Sequence, residues 1–128
     1  MIPKLGALSL GGVATMLLCG CSQFNMTPPC DETGLGLMRQ LAVPADTRPD
    51  PIRLAAIMTV SGFEELDSSY NARTCRAEVV ASASRATVTY GITQSEGVQG
   101  WYVIELQNAS SPNVQMLIQE VRGAYAGF

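Results

Sequence analysis

The residues best able to make or break a bond in this chain are its cysteines, Cys19, Cys21, Cys30 and Cys75, and a close run of carboxylates, Glu64, Glu65 and Asp67. Partners for them are scarce. There is no histidine, and the sole lysine is Lys4. Cys19-Gly20-Cys21 has the spacing of half a metal or redox site, but such a site needs further Cys or His ligands nearby, so no metal is expected. Two of the three clustered carboxylates could serve as the acid and base of a glycosidase. The plainer reading is a solvated acidic turn, with Glu78 and Glu96 standing alone. Arg73, Arg76 and Arg85 could gather into a patch for an anion, although exposed charges guarding strand edges describe them more simply.

Composition narrows the field further. The 128 residues are 47% hydrophobic and 15% charged, too apolar for a disordered chain and enough for one domain. A net charge of −3 leaves no cationic excess to neutralise phosphates, so no nucleic-acid partner is expected.

The first twenty residues read as an address. Lys4 is followed by an uncharged stretch from Leu5 to Leu18, about 14 residues or roughly 21 Å as a helix. That is too short to cross a bilayer and has the layout of a secretory signal peptide. Leu18-Cys19-Gly20-Cys21 resembles the lipobox of bacterial lipoproteins. The resemblance implies cleavage between Gly20 and Cys21, a diacylglyceryl thioether on Cys21, and often acylation of the new amino terminus. Ser22 in the following position is similar to lipoproteins sorted to the outer membrane. The expected organisation is therefore a signal peptide over 1–20, a lipidated terminus and spacer over 21–29, and one domain over 30–128. The expected location is the outer membrane, with the domain facing the periplasm or the cell surface.

Two chemical consequences follow. Cleavage removes Lys4, and without His, Lys or a free amine the mature chain cannot run Ser–His, Ser–Lys, Cys–His or Schiff-base chemistry. After Cys19 is removed and Cys21 is lipidated, Cys30 and Cys75 remain in a compartment that favours oxidation, and they are expected to form a disulfide. It would clamp the first helix to the sheet.

The elements that must position these residues follow from periodicity. Leu35, Met38 and Leu41 recur at helical spacing behind the acidic pair Asp31 and Glu32. Three prolines make Val43–Pro51 a loop. Ile52 to Leu66 reads as a strand bent at Gly62, with a helix as the alternative over Ile52–Met58. Asp67 to Asn71 reads as a turn, and Thr74 to Ala83 as a second strand with Cys75, Ala77, Val79 and Ala81 on one face. Arg85 to Thr93 alternates most cleanly, with Ala86, Val88, Tyr90 and Ile92 inward and Thr87, Thr89 and Thr93 outward. Gln94–Gly100 is a hairpin loop and Trp101–Leu106 the fourth strand. Ser111 and Pro112 open a final helix, with Val114, Leu117, Ile118, Val121 and Tyr125 on its buried face.

The fold class expected is α+β: a helix, a four-stranded antiparallel meander and a C-terminal helix. As architecture this is similar to cystatin-like and related small envelope domains. Trp101 and Tyr102 must point to opposite faces; Trp101 is expected in the core, and Tyr102, if exposed, at a partner contact. The function expected is that of a lipid-anchored, non-enzymatic envelope protein with a protein partner and no cofactor. The alternative is an inhibitor or immunity protein that inserts Gln94–Gly100 into a hydrolase. A carboxylate hydrolase stands third.

Overall fold

Asp50 and Pro51 start the element that departs most from its sequence pattern. Residues 27–95 and 101–127 are described by a computed structural model of the chain. In it, the Asp50 carboxylate accepts hydrogen bonds from the backbone N–H groups of Ile52 and Arg53, at 3.1 and 3.4 Å. An Asp N-cap followed by Pro in the first turn favours helix, so Pro51–Ile57 is helical and the strand begins only at Met58.

Three helices and four strands make up the described residues, and the domain is α+β. A single 3₁₀ turn, Cys30–Glu32, precedes α1 (Gly34–Ala42), so the acidic pair lies ahead of the helix rather than in its first turn. Helix α2 is Pro51–Ile57. The strands are β1 (Met58–Ser69), β2 (Ala72–Ala81), β3 (Arg85–Gln94) and β4 (Tyr102–Leu106), and α3 is Pro112–Ala126. The sheet is an antiparallel meander in the order β1-β2-β3-β4. Strand β1 runs further than the sequence suggested and leaves only Tyr70 and Asn71 as the turn; β2 begins two residues early.

The core lies between the helices and one face of the sheet. Cys75, Ala77 and Val79 from β2 and Ala86, Val88, Tyr90 and Ile92 from β3 are buried there, against Leu37, Leu41, Leu54, Val114, Leu117, Val121 and Tyr125. The other face carries Thr87, Thr93, Val103 and Glu105, all exposed. Pro112 occupies the first turn of α3, but the Ser111 side chain makes no capping bond. Instead Glu120 ties α3 to the β2–β3 turn by accepting the Ala83 N–H at 2.9 Å. Hydrogen bonds from that turn hold its carboxyl below the usual glutamate value.

The core contains one polar cluster. The Thr33 hydroxyl lies 2.7 Å from the Cys30 carbonyl and shares a hydrogen bond with the Tyr90 hydroxyl at 2.9 Å. Both groups are buried and satisfied, as the cost of an unpaired buried hydroxyl requires. Burial pushes the Tyr90 phenol above its ordinary value.

Candidate functional site

The two aromatic residues beside the β3–β4 connection have the opposite placement from that expected. Register decides it. Ile92 faces Ile104 and Gln94 faces Tyr102 across the β3–β4 ladder, so the even residues of β4 share the core face with Ile92 and the odd ones do not. Trp101 is 67% exposed, Val103 52% exposed, and Tyr102 half-buried. Tyr102 lies under α1, where its ring and Ile104 approach Gly36. A Cβ at position 36 would stand 2.8 Å from Ile104 Cδ1 and 3.5 Å from the Tyr102 hydroxyl. Gly36, costly to a helix, lets α1 settle on the edge strand.

Between α1 and β4 this packing leaves a groove of about 660 Å³, the size range of ligand and peptide sites. Its walls include Arg39, Val43, Trp101, Tyr102, Val103 and Arg122. Arg122 is steered there by its Nε–H, which donates to the Leu41 carbonyl at 3.3 Å. Among the described residues, carboxylate–guanidinium pairs join Arg73 to Glu65, Arg76 to Glu64 and Arg85 to Glu78; none involves Arg39 or Arg122. The groove therefore presents apolar and aromatic surface with two guanidinium groups that suit a carboxylate.

Among the described residues, strand β4 is also a free sheet edge. The Ser95 N–H donates to the Trp101 carbonyl at 2.9 Å, and the Gln107 N–H to the Thr89 carbonyl at 2.8 Å. Residues 101, 103, 105 and 107 thus bond to β3. By the alternation of an antiparallel ladder, Tyr102, Ile104 and Leu106 aim their N–H and C=O groups away from β3, at the open edge.

The carboxylate cluster takes a different form from an acid–base pair. Glu64 and Glu65 each bind an arginine of β2, Arg76 and Arg73 respectively. These arginines belong to a central strand, not an edge, because β2 has neighbours on both sides. The Arg73 side chain is only 13% exposed. It donates from Nη2 to the Thr27 carbonyl at 3.2 Å, which fixes the start of the described chain.

Next to that contact, Cys30 and Cys75 are joined by a disulfide with Cα atoms 5.8 Å apart. Both residues are buried. Cys19, Cys21, the expected signal peptide over 1–20 and most of the Gln94–Gly100 loop lie outside the described residues. Among the described residues, no three His, Cys, Asp or Glu side chains are placed to hold a metal ion, and no helix is long and apolar enough to cross a membrane.

Sequence reasoning missed the groove because Arg39, Tyr102 and Arg122 meet only through tertiary packing. One local signal was available: Gly36 and Arg39 are three apart, so a helix places them on one face. No protein-family model, no curated protein and no solved structure matches this chain.

Proposed function

We propose that this chain is a lipid-anchored, non-enzymatic protein of the bacterial cell envelope that binds a protein partner by accepting one of its extended segments along β4. The observation that carries this reading is the free β4 edge beside a groove lined by Tyr102, Trp101, Val103 and two arginines without carboxylate partners among the described residues. Strand addition draws affinity from main-chain hydrogen bonds and specificity from side-chain pockets. Here Tyr102, Ile104 and Leu106 would supply the backbone groups, and Arg39 and Arg122 would select a segment carrying a carboxylate. The anchor rests on Leu18-Cys19-Gly20-Cys21, with Cys21 as the lipidated residue.

Photo-crosslinking in intact cells tests the interaction. A benzophenone amino acid at Val103 should capture an acidic, extended segment of an envelope protein, while the same group at Thr59 on the β1 edge should capture none. In the purified complex, the amides of Tyr102, Ile104 and Leu106 should become protected from hydrogen exchange. Equal capture from both edges, or unchanged exchange at these amides, would overturn the reading. A captured hydrolase that loses activity on binding would favour the inhibitor reading instead. The anchor is tested separately: Cys21→Ala should abolish incorporation of labelled fatty acid.

A further inference from the structure

One end of the sheet gathers exposed aromatic surface at the place where the chain emerges. The Gln94 N–H donates to the Asn71 carbonyl at 3.1 Å, and the Ser95 N–H to the Trp101 carbonyl at 2.9 Å. These two bonds align the β1–β2 turn with the residue that precedes β4. Tyr70, in that turn, is 68% exposed and Trp101 67% exposed. Neither contributes to the core.

The N-terminal segment leads to the same end. Cys30 is bonded to Cys75, and Thr27 is held by Arg73. Going from Cys75 to Arg73 along β2 approaches Ala72 and the β1–β2 turn, so going from Cys30 to Thr27 approaches it too. Cys21 precedes Thr27 by six residues, a reach of at most ~21 Å even when fully extended.

We infer that this end of the domain rests on the lipid surface, with Tyr70 and Trp101 seated among the headgroups. The inference rests on the lipid-anchor reading proposed above. A domain held that close to a bilayer meets it continually, and tyrosine and tryptophan are the side chains whose apolar body and polar tip suit the headgroup layer. Seated this way, the domain stands on its sheet end, and the β4 groove opens sideways toward neighbouring envelope proteins. The β2–β3 turn, at the far end of a ten-residue strand, would stand roughly 30 Å above the surface.

Trp101 is the only tryptophan in the chain, so tryptophan fluorescence reports on this position alone. The mature lipoprotein is reconstituted into phosphatidylcholine vesicles with and without bromine-labelled acyl chains. Mass spectrometry of the amino-terminal peptide is run on the same material. With Cys21 lipidated, the Trp101 emission should lie at shorter wavelength than that of a water-exposed tryptophan. It should lose intensity to the brominated lipid, as an interfacial ring would. Tyr70→Trp in a Trp101→Phe background should behave alike, whereas Ser82→Trp in that background should be quenched by aqueous iodide and not by bromine. An amino terminus without lipid would overturn the anchor reading and this inference together. A lipidated protein whose Trp101 is open to iodide and blind to bromine would overturn the orientation alone. Equal bromine quenching at positions 82 and 101 would do the same.

Discussion

The two edges of the sheet are built on opposite plans. Strand β1 is long and irregular: its pairing with β2 shifts between Ser61 and Glu64 and again between Glu65 and Asp67. Gly62 sits in the first shift with φ 64°, and the acidic side chains Glu64, Glu65 and Asp67 follow it. Bulges and charges are the devices that keep an edge from pairing with another chain. Strand β4 has no bulge and is nearly uncharged. It makes five consecutive pairs without a shift, it carries one charge, Glu105, and it borders the groove. An edge guarded on one side of the sheet and left regular on the other is the asymmetry that the proposed strand addition would use.

The largest effect should come from the covalent link on the guarded side. Replacing both Cys30 and Cys75 by Ala opens a loop closed over a separation of 45 residues, for which chain entropy gives about 4 kcal/mol. Denaturant unfolding should register that loss, while partner binding by the molecules still folded stays unchanged, because β3 separates β4 from the strand that carries Cys75. Next is Val103→Lys. It places a charge on the exposed face of β4 and should weaken partner binding tenfold or more, about 1.4 kcal/mol, with little change in stability. Thr59→Lys on β1 should leave binding intact, and a comparable loss there would erase the distinction between the edges.

A smaller effect is expected at the bulge. Gly62→Ala meets no closer neighbour than the Glu78 Cβ at 3.9 Å, so its cost is the left-handed backbone alone, about 1 kcal/mol. A stabilising result from thermal melts would show that the bulge is not glycine-dependent. The smallest effect concerns acid. The folded state holds the Glu120 carboxyl below its ordinary value of 4.5, so its contribution is complete above that pH and is lost as the pH falls through the lower, folded value. Glu120→Gln should therefore differ most from the parent near neutrality, and the two stability curves should converge toward acid pH.

The parts of the fold legible in the sequence are those with one wet and one dry side. The alternation from Ala86 to Ile92 and the stripe of Val114, Leu117, Val121 and Tyr125 are buried as their periods required. The start of α2 was written in Asp50-Pro51, but the apolar run after it read better as a strand, and the cap decided the outcome. Trp101 and Tyr102 were assigned to the wrong sides for a different reason. Strict alternation fixes that two neighbours differ, not which of them faces inward; that depends on pairing with Gln94 and Ser95 across the ladder. Arg73 likewise looked like surface charge, and became largely buried because the chain before Cys30 folds back over it. Beyond the spacing of Gly36 and Arg39 the groove had no linear signature, since its two arginines are supplied by helices α1 and α3, far apart in the chain.

The attachment of Thr27 and Cys30 to β2 also decides how the molecule bears tension. A pull on the N-terminal segment, as the proposed lipid anchor would exert it, first loads the contacts of Thr27, among them its hydrogen bond from Arg73, which can slip and re-form. The remainder arrives through the sulfur bridge in a strand that is laced to neighbours on both sides. From there the load spreads as shear along the β1–β2 and β2–β3 ladders. Helices α1 and α3 and strand β4 lie outside those two ladders, so under the proposed anchoring the walls of the groove would stay clear of the main path of the load.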